Sequence, residues 1–226
     1  MKNLITHTIL IIFLFLGLNS MSQTFGLRAG LHSSTMQIKY ISSDSENSHI
    51  NPGFQIGPTV EVPINEIFSF ESGLLFSTKG VKLKKEQEYL NEFIKQNKKL
   101  NLLYVDLPLT AKLSTDVGQS KIFGVLGPYV SMGLSGTYEN ESETGSTPKL
   151  HELDVKFGSN EEEGDLKKFD YGLTAGAGII LKSFQIGVNY SLGLADVNVF
   201  KYINNATKAT NQVMGISVEY KFGKTE

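Results

Sequence analysis

The stretch Phe169–Leu192, FDYGLTAGAGIILKSFQIGVNYSL, decides the fold. Tyr171, Leu173, Ala175, Ala177 and Ile179 alternate with Asp170, Gly172, Thr174, Gly176 and Gly178. After Lys182-Ser183 the alternation resumes, with Phe184, Ile186, Val188, Tyr190 and Leu192 against Gln185, Gly187, Asn189 and Ser191. A period of two puts every apolar side chain on one face of an extended chain, so these are two half-apolar strands of a hairpin. Their other face is built largely of glycine and small polar residues. A face turned to bulk water carries Lys, Glu and Thr; a narrow lumen needs small side chains.

The same period extends outward from this hairpin over the rest of the chain. Phe25, Leu27, Ala29 and Leu31 form one apolar parity; Phe54, Ile56, Pro58, Val60 and Val62 a second; Phe68, Phe70, Ser72, Leu74 and Phe76 a third. Leu103 to Leu113 and Met214 to Phe222 repeat the pattern, and Lys121 to Leu134 is apolar on both parities, so its phase is open. Eight runs result, most near the 9–11 residues of a tilted membrane-crossing strand. Their connections alternate in length. Pro63–Glu66, Ser114–Ser120 and Lys182–Ser183 are short, whereas Ser33–Asn51, Thr78–Lys99, Ser135–Lys168 and Gly193–Asn211 are long. An even strand count with short links on one side and long ones on the other predicts an all-β, eight-stranded, antiparallel up-and-down transmembrane β-barrel. Its short turns are periplasmic and its long loops extracellular.

A soluble lipocalin-like barrel, carrying an apolar ligand in the periplasm, shares this alternation with its faces exchanged. Charge, the glycine-rich second face and the placing of aromatics favour the membrane version. Arg28, Glu61, Glu71, Asp106, Lys112, Asp170 and Glu219 all avoid the apolar parity. Aromatic residues also collect at strand ends, with Phe25, Phe68, Phe184, Tyr220 and Phe222 toward one rim and Phe54, Phe76, Tyr171 and Tyr190 toward the other. Two aromatic girdles suit two membrane interfaces.

The N-terminus reads as an address. Lys2 precedes an unbroken apolar core from Ile9 to Leu16, and Ser20 and Ser22 occupy the −3 and −1 positions of a cut before Gln23. Residues 1–22 are therefore expected to be a cleaved signal peptide and residues 23–226 the outer-membrane barrel domain. The apolar core is shorter than the roughly 20 residues of a spanning helix. In 226 residues there is no cysteine, which excludes disulfides, thiolate metal sites and a cysteine nucleophile. A net charge of −2 gives no electrostatic ground for a nucleic-acid partner.

FGLRAGLHSS at residues 25–34, the hairpin NPGFQIGPTVEVPI followed by FSFESGLLFSTKG, and the strands LLYVDLPLTAKL, GVLGPYVSMGL and FDYGLTAGAGI resemble the PorT-like outer-membrane β-barrel proteins of Bacteroidetes. The resemblance spans the mature chain apart from its loops and implies an eight-stranded barrel in the outer membrane. PorT itself is associated with type IX secretion, a role that does not carry over on scaffold motifs.

Chemistry is sparse. His32, His49 and His151 show no metal-ligand spacing. His32 with Ser33, Ser34 and Asp170 is a candidate rim constellation for hydrolysis, and the acidic run Ser159–Asp165 lacks the alternation of an EF-hand loop. No catalytic residue, cofactor or metal is expected. Arg28, Glu61, Glu71, Asp106, Lys112 and Glu219 are expected to meet in the lumen as a structural charge cluster, with Glu71 or Glu219 within reach of Arg28. Eight strands leave an interior that side chains fill, which argues against the remaining alternative, a narrow pore. The segment Thr78–Lys99 holds seven lysines and three glutamates, and Lys84–Lys99, with Tyr89, Leu90, Phe93 and Ile94, reads as a short amphipathic helix. Outer-membrane lipid is the expected surrounding; lipopolysaccharide or a protein is the expected partner of the long loops. The resulting expectation is a structural or interaction protein.

Overall fold

Period-two alternation becomes strand throughout the computed structural model, which describes residues 23–40, 47–89, 92–144, 147–158, 164–197 and 206–222. The strands are β1 (Thr24–Tyr40), β2 (Asn47–His49), β3 (Asn51–Pro63), β4 (Phe68–Gly73), β5 (Leu75–Tyr89), β6 (Glu92–Val117) and β7 (Ser120–Thr144). They continue as β8 (Thr147–Val155), β9 (Phe157–Gly158), β10 (Leu166–Lys167), β11 (Phe169–Leu181), β12 (Phe184–Gly193) and β13 (Ala206–Phe222). Residues 1–22, read as the signal peptide, lie outside the described residues.

Antiparallel pairing closes a ring. β1 pairs with β3, β3 with β4 and β5, these with β6, then β7, β11, β12 and β13 follow, and β13 returns to β1. β4 and β5 keep one register against β6, from Phe68↔Leu113 through Leu75↔Asp106, so they are one barrel strand interrupted at Leu74. The ring therefore has eight strands. At the interruption the Leu74 amide donates to the Pro58 carbonyl at 3.0 Å, which draws the backbones together. Gly57 sits against this approach; a Cβ there would lie 1.9 Å from the Leu74 carbonyl oxygen, so only glycine fits.

Around the lower barrel the apolar parity is exposed. Leu31 is 68% exposed and Leu126 62%, although both are large hydrocarbons, as a lipid-facing wall requires. At the periplasmic rim Phe25 is opposite Phe222, and the Tyr220 ring packs 5.2 Å from Phe184 and 5.1 Å from Phe222. The segment Lys121 to Leu134, open in phase from sequence, acquires one: Phe123, Tyr129 and Ser131 are buried inward, while Ile122, Leu126 and Val130 are exposed outward.

Above the lipid-facing belt the long connections are largely strand, which corrects the reading of them as loops. β6 alone has 26 residues, a contour of about 85 Å at roughly 3.3 Å per residue, far beyond one bilayer crossing. The amphipathic helix expected over Lys84–Lys99 is likewise replaced. β5 runs to Tyr89, β6 starts at Glu92, and the two pair from Leu75↔Asp106 up to Tyr89↔Glu92. A single short helix gains little on its own. The hairpin instead continues a ladder already nucleated in the barrel and adds β7 on its other side.

In this extension β1, β5 and β6 keep their parity, β7 shifts its own by one residue opposite Leu103/Tyr104, and the chemistry of the two faces inverts. On β1 the inward row passes from Arg28 and His32 to Met36 and Ile38, and the outward row from Leu27 and Leu31 to Gln37 and Lys39. Met36, Val81, Leu83, Leu100, Leu102, Tyr104, Tyr138, Val155, Leu166, Val197, Ala206 and Ala209 form a buried apolar core inside the extension. A single set of strands thus builds an apolar-out barrel for lipid and an apolar-in extension for water.

Candidate functional site

Inward parity in the lower barrel delivers charged side chains from five strands to one level. Arg28 of β1 donates from Nε to Glu219 Oε2 at 2.8 Å and from Nη2 to Glu71 Oε1 at 2.5 Å, and Nη2 also reaches Glu219. β1 and β13 are in register at Arg28↔Glu219, so this pair follows directly from strand closure. Lys112 of β6 donates to Glu61 Oε2 at 2.9 Å, to Glu71 Oε2 at 3.1 Å and to the Gln185 side-chain carbonyl. Lys221 donates to Glu61, and Ser69 Oγ donates to Glu61 Oε1 at 2.6 Å. Arg28, Lys112 and Lys221 thus face Glu61, Glu71 and Glu219, three cations against three carboxylates. Lys112 has no exposed surface, and its ammonium lies 4.8 Å from the Phe123 ring centroid. Buried charge of this density persists only when paired and hydrogen-bonded all round.

Asp106 does not join this level. It lies higher, where Lys79 Nζ is 3.0 Å from Asp106 Oδ1 and 3.5 Å from Asp170 Oδ2 and donates to Ser131 Oγ at 2.9 Å. Ser77 Oγ donates to Asp106 Oδ2 at 2.6 Å, and Asn211 Nδ2 donates to Asp170 Oδ2 at 3.0 Å. The Lys79 ammonium also sits 4.8 Å from the Tyr104 and Tyr129 ring centroids. Between the two levels is a cavity of about 80 Å³, with Gln55, Thr110, Thr174, Asn189, Ser191 and Ser217 on its walls. It has space for a few water molecules, since each needs at least ~10–15 Å³. Above the upper level begins the apolar core of the extension.

Of the expected residues, Arg28, Glu61, Glu71, Lys112 and Glu219 are brought together and Asp106 is not. Two members of the lower level, Lys221 and Gln185, were missed in sequence, although both share the inward parity and Lys221 lies two residues beyond Glu219. The upper level carries no such signal, because Lys79 falls within Thr78–Lys99, a stretch whose sequence reads as a loop.

The rim constellation does not assemble into a relay. His32 Nε2 bonds to the Thr78 carbonyl at 2.5 Å, which makes Nε2 the protonated nitrogen, and Ser34 Oγ donates to the Asn51 carbonyl at 3.1 Å. Asp170 is held by Lys79, Tyr129 and Asn211. Among the described residues no three His, Cys, Asp or Glu side chains gather to hold a metal ion.

The model of the family described as "Outer membrane protein beta-barrel domain" matches residues 21–199. No curated protein matches the chain. Among solved structures the chain is similar to the outer membrane protein OprG from Pseudomonas aeruginosa, at 14% identity over 89% of this chain and 97% of that one, with a TM-score of 0.40. It is also similar to Neisserial surface protein A, at 14% identity over 88% of this chain and 97% of that one, TM-score 0.38. Ail, the attachment invasion locus protein of Yersinia pestis, aligns at 12% identity over 89% of this chain and 100% of that one, TM-score 0.36.

Proposed function

The chain belongs to the outer membrane protein beta-barrel domain family, and from that premise we propose that its barrel is a closed, non-enzymatic anchor for a rigid β-extension that meets partners outside the cell. The observation that carries this reading is the inversion within each long strand. The lower barrel is dressed for lipid and the extension for water, and β1, β5, β6 and β7 run continuously through both. In this reading residues 1–22 are the export signal, and the outward fit of the opening and hairpin motifs supports a PorT-like member of the family.

The lumen offers no through-path in this reading. The lower charge cluster rigidifies and seals the periplasmic half, and the apolar core seals the outer half. Lysines on the outward face of β5, Lys82 and Lys84, stand just above the lipid-facing belt and suit lipopolysaccharide phosphates. The test is electrical. Purified protein inserted into planar bilayers is expected to give no unitary conductance steps, and reproducible steps would overturn the closed-anchor reading.

A further inference from the structure

Above the membrane β2, β5, β6, β7 and β8 pair in one sheet, and β8 is one of its edges. Among the described residues β8 pairs with β7 alone, from Thr144↔Thr147 to Gly136↔Val155. An exposed strand edge carries a row of unpaired backbone donors and acceptors, which proteins usually cover, shorten or blunt with Lys or Pro. β8 carries Pro148 and Lys149 at its outer end, and beyond them it is flanked by large apolar side chains, Leu150 at 64% and Leu153 at 54% exposure.

Side-chain charge adds a second, independent feature. Paired residues share a face, so Glu139↔Glu152 puts two carboxylates directly opposite each other on the outward side, with Asp154 opposite Thr137 one step below. Like charges in that position destabilise a sheet. Lys99 relieves Glu139 at 3.1 Å, whereas Glu152 and Asp154 are exposed and have no ion pair among the described residues. Among the described residues, therefore, β8 keeps one unpaired edge and two carboxylates without an ion pair, with Lys156 next on the same parity.

We propose that the free edge of β8 is a strand-addition site for an extended, cationic segment of a partner protein. Backbone hydrogen bonds to the edge supply the docking, Lys or Arg at alternate positions meet Glu152 and Asp154 on the outward face, and apolar residues cover Leu153 on the other. The two carboxylates also disfavour other occupants. Edge-to-edge pairing of two copies through β8 brings acid against acid, and lipopolysaccharide phosphates are repelled. The proposal rests on the reading of the barrel as an anchor for an extracellular extension.

The test uses the full chain, folded in neutral detergent micelles, and a fluorescent alternating Lys-Val peptide of roughly the length of β8. Saturable, salt-sensitive binding is expected. The affinity is expected to fall about tenfold or more when alternate peptide residues are N-methylated, and equally when Glu152→Lys and Asp154→Lys are combined in the protein. Lys39→Glu, on β1, which pairs with β13 and β3 and not with β7 or β8, is expected to leave it unchanged, and heat-modifiable gel mobility confirms that each variant is folded. Equal binding of the N-methylated peptide, or of a Glu-Val peptide, overturns the proposal. So does absent binding together with a dimer in sedimentation, which assigns the edge to a second copy. A non-conducting barrel that fails to bind defeats this inference alone, whereas a conducting one defeats the anchor reading.

Discussion

Lys112 holds the lower lumen together because it is the cation that two carboxylates share, Glu61 at 2.9 Å and Glu71 at 3.1 Å. Lys112→Met leaves three carboxylates against Arg28 and Lys221 and is expected to cost about 3–5 kcal/mol. Adding Glu71→Gln restores balance, since Arg28 keeps Glu219 and Lys221 keeps Glu61. The double variant is therefore expected to recover most of the loss, as measured by urea unfolding in lipid vesicles. If the two losses simply add, the cluster is not one coupled unit. At this scale the sequence told which residues face inward, because parity needs only counting. It did not tell their height, because height depends on register between strands. Asp106 illustrates the gap: it shares β6 with Lys112, yet pairing with Leu75 places it with Lys79 instead.

Whole strands show why some elements were legible and others not. β11 and β12 were plain because their inward rows are glycine and small polar residues. β7 was not, because its inward row includes the apolar Phe123, Val125 and Tyr129, of which Phe123 lies under Lys112 and Tyr129 under Lys79. The upper parts of β5 and β6 were misread since charge appears on the outward parity there, so the lower-barrel rule no longer holds. Two predictions follow from the inversion. Val188→Arg, on the lipid face, is expected to cost roughly 2–4 kcal/mol and to block insertion. Gln37→Arg, outward on β1 but above the belt, is expected to be silent; both are read by heat-modifiable mobility after refolding into vesicles. Leu102 is 1% exposed in the upper core, and Leu102→Ala is expected to cost about 2–5 kcal/mol. That loss should show as faster proteolysis of the extension, with the membrane half still protected.

For the molecule as a whole, two seals of different chemistry stand in series along one lumen. The lower is an ion-pair network around Arg28, Glu71, Lys112 and Glu219; the upper is hydrocarbon around Leu100, Leu102 and Tyr104. The cavity of about 80 Å³ lies between them. Resistances in series add, so removing one seal leaves the other to set the current. Arg28→Ala with Glu219→Ala, which deletes a neutral pair, is expected to give no conductance in planar bilayers. Leu102→Ser with Tyr104→Ala is expected to give none either, because the ion-pair network still fills the periplasmic half. Only the combination of all four substitutions is expected to produce discrete openings, small and weakly selective, since the deleted pair carries no net charge. Conductance from either pair alone would mean that the lumen has one seal, and would identify which of the two it is.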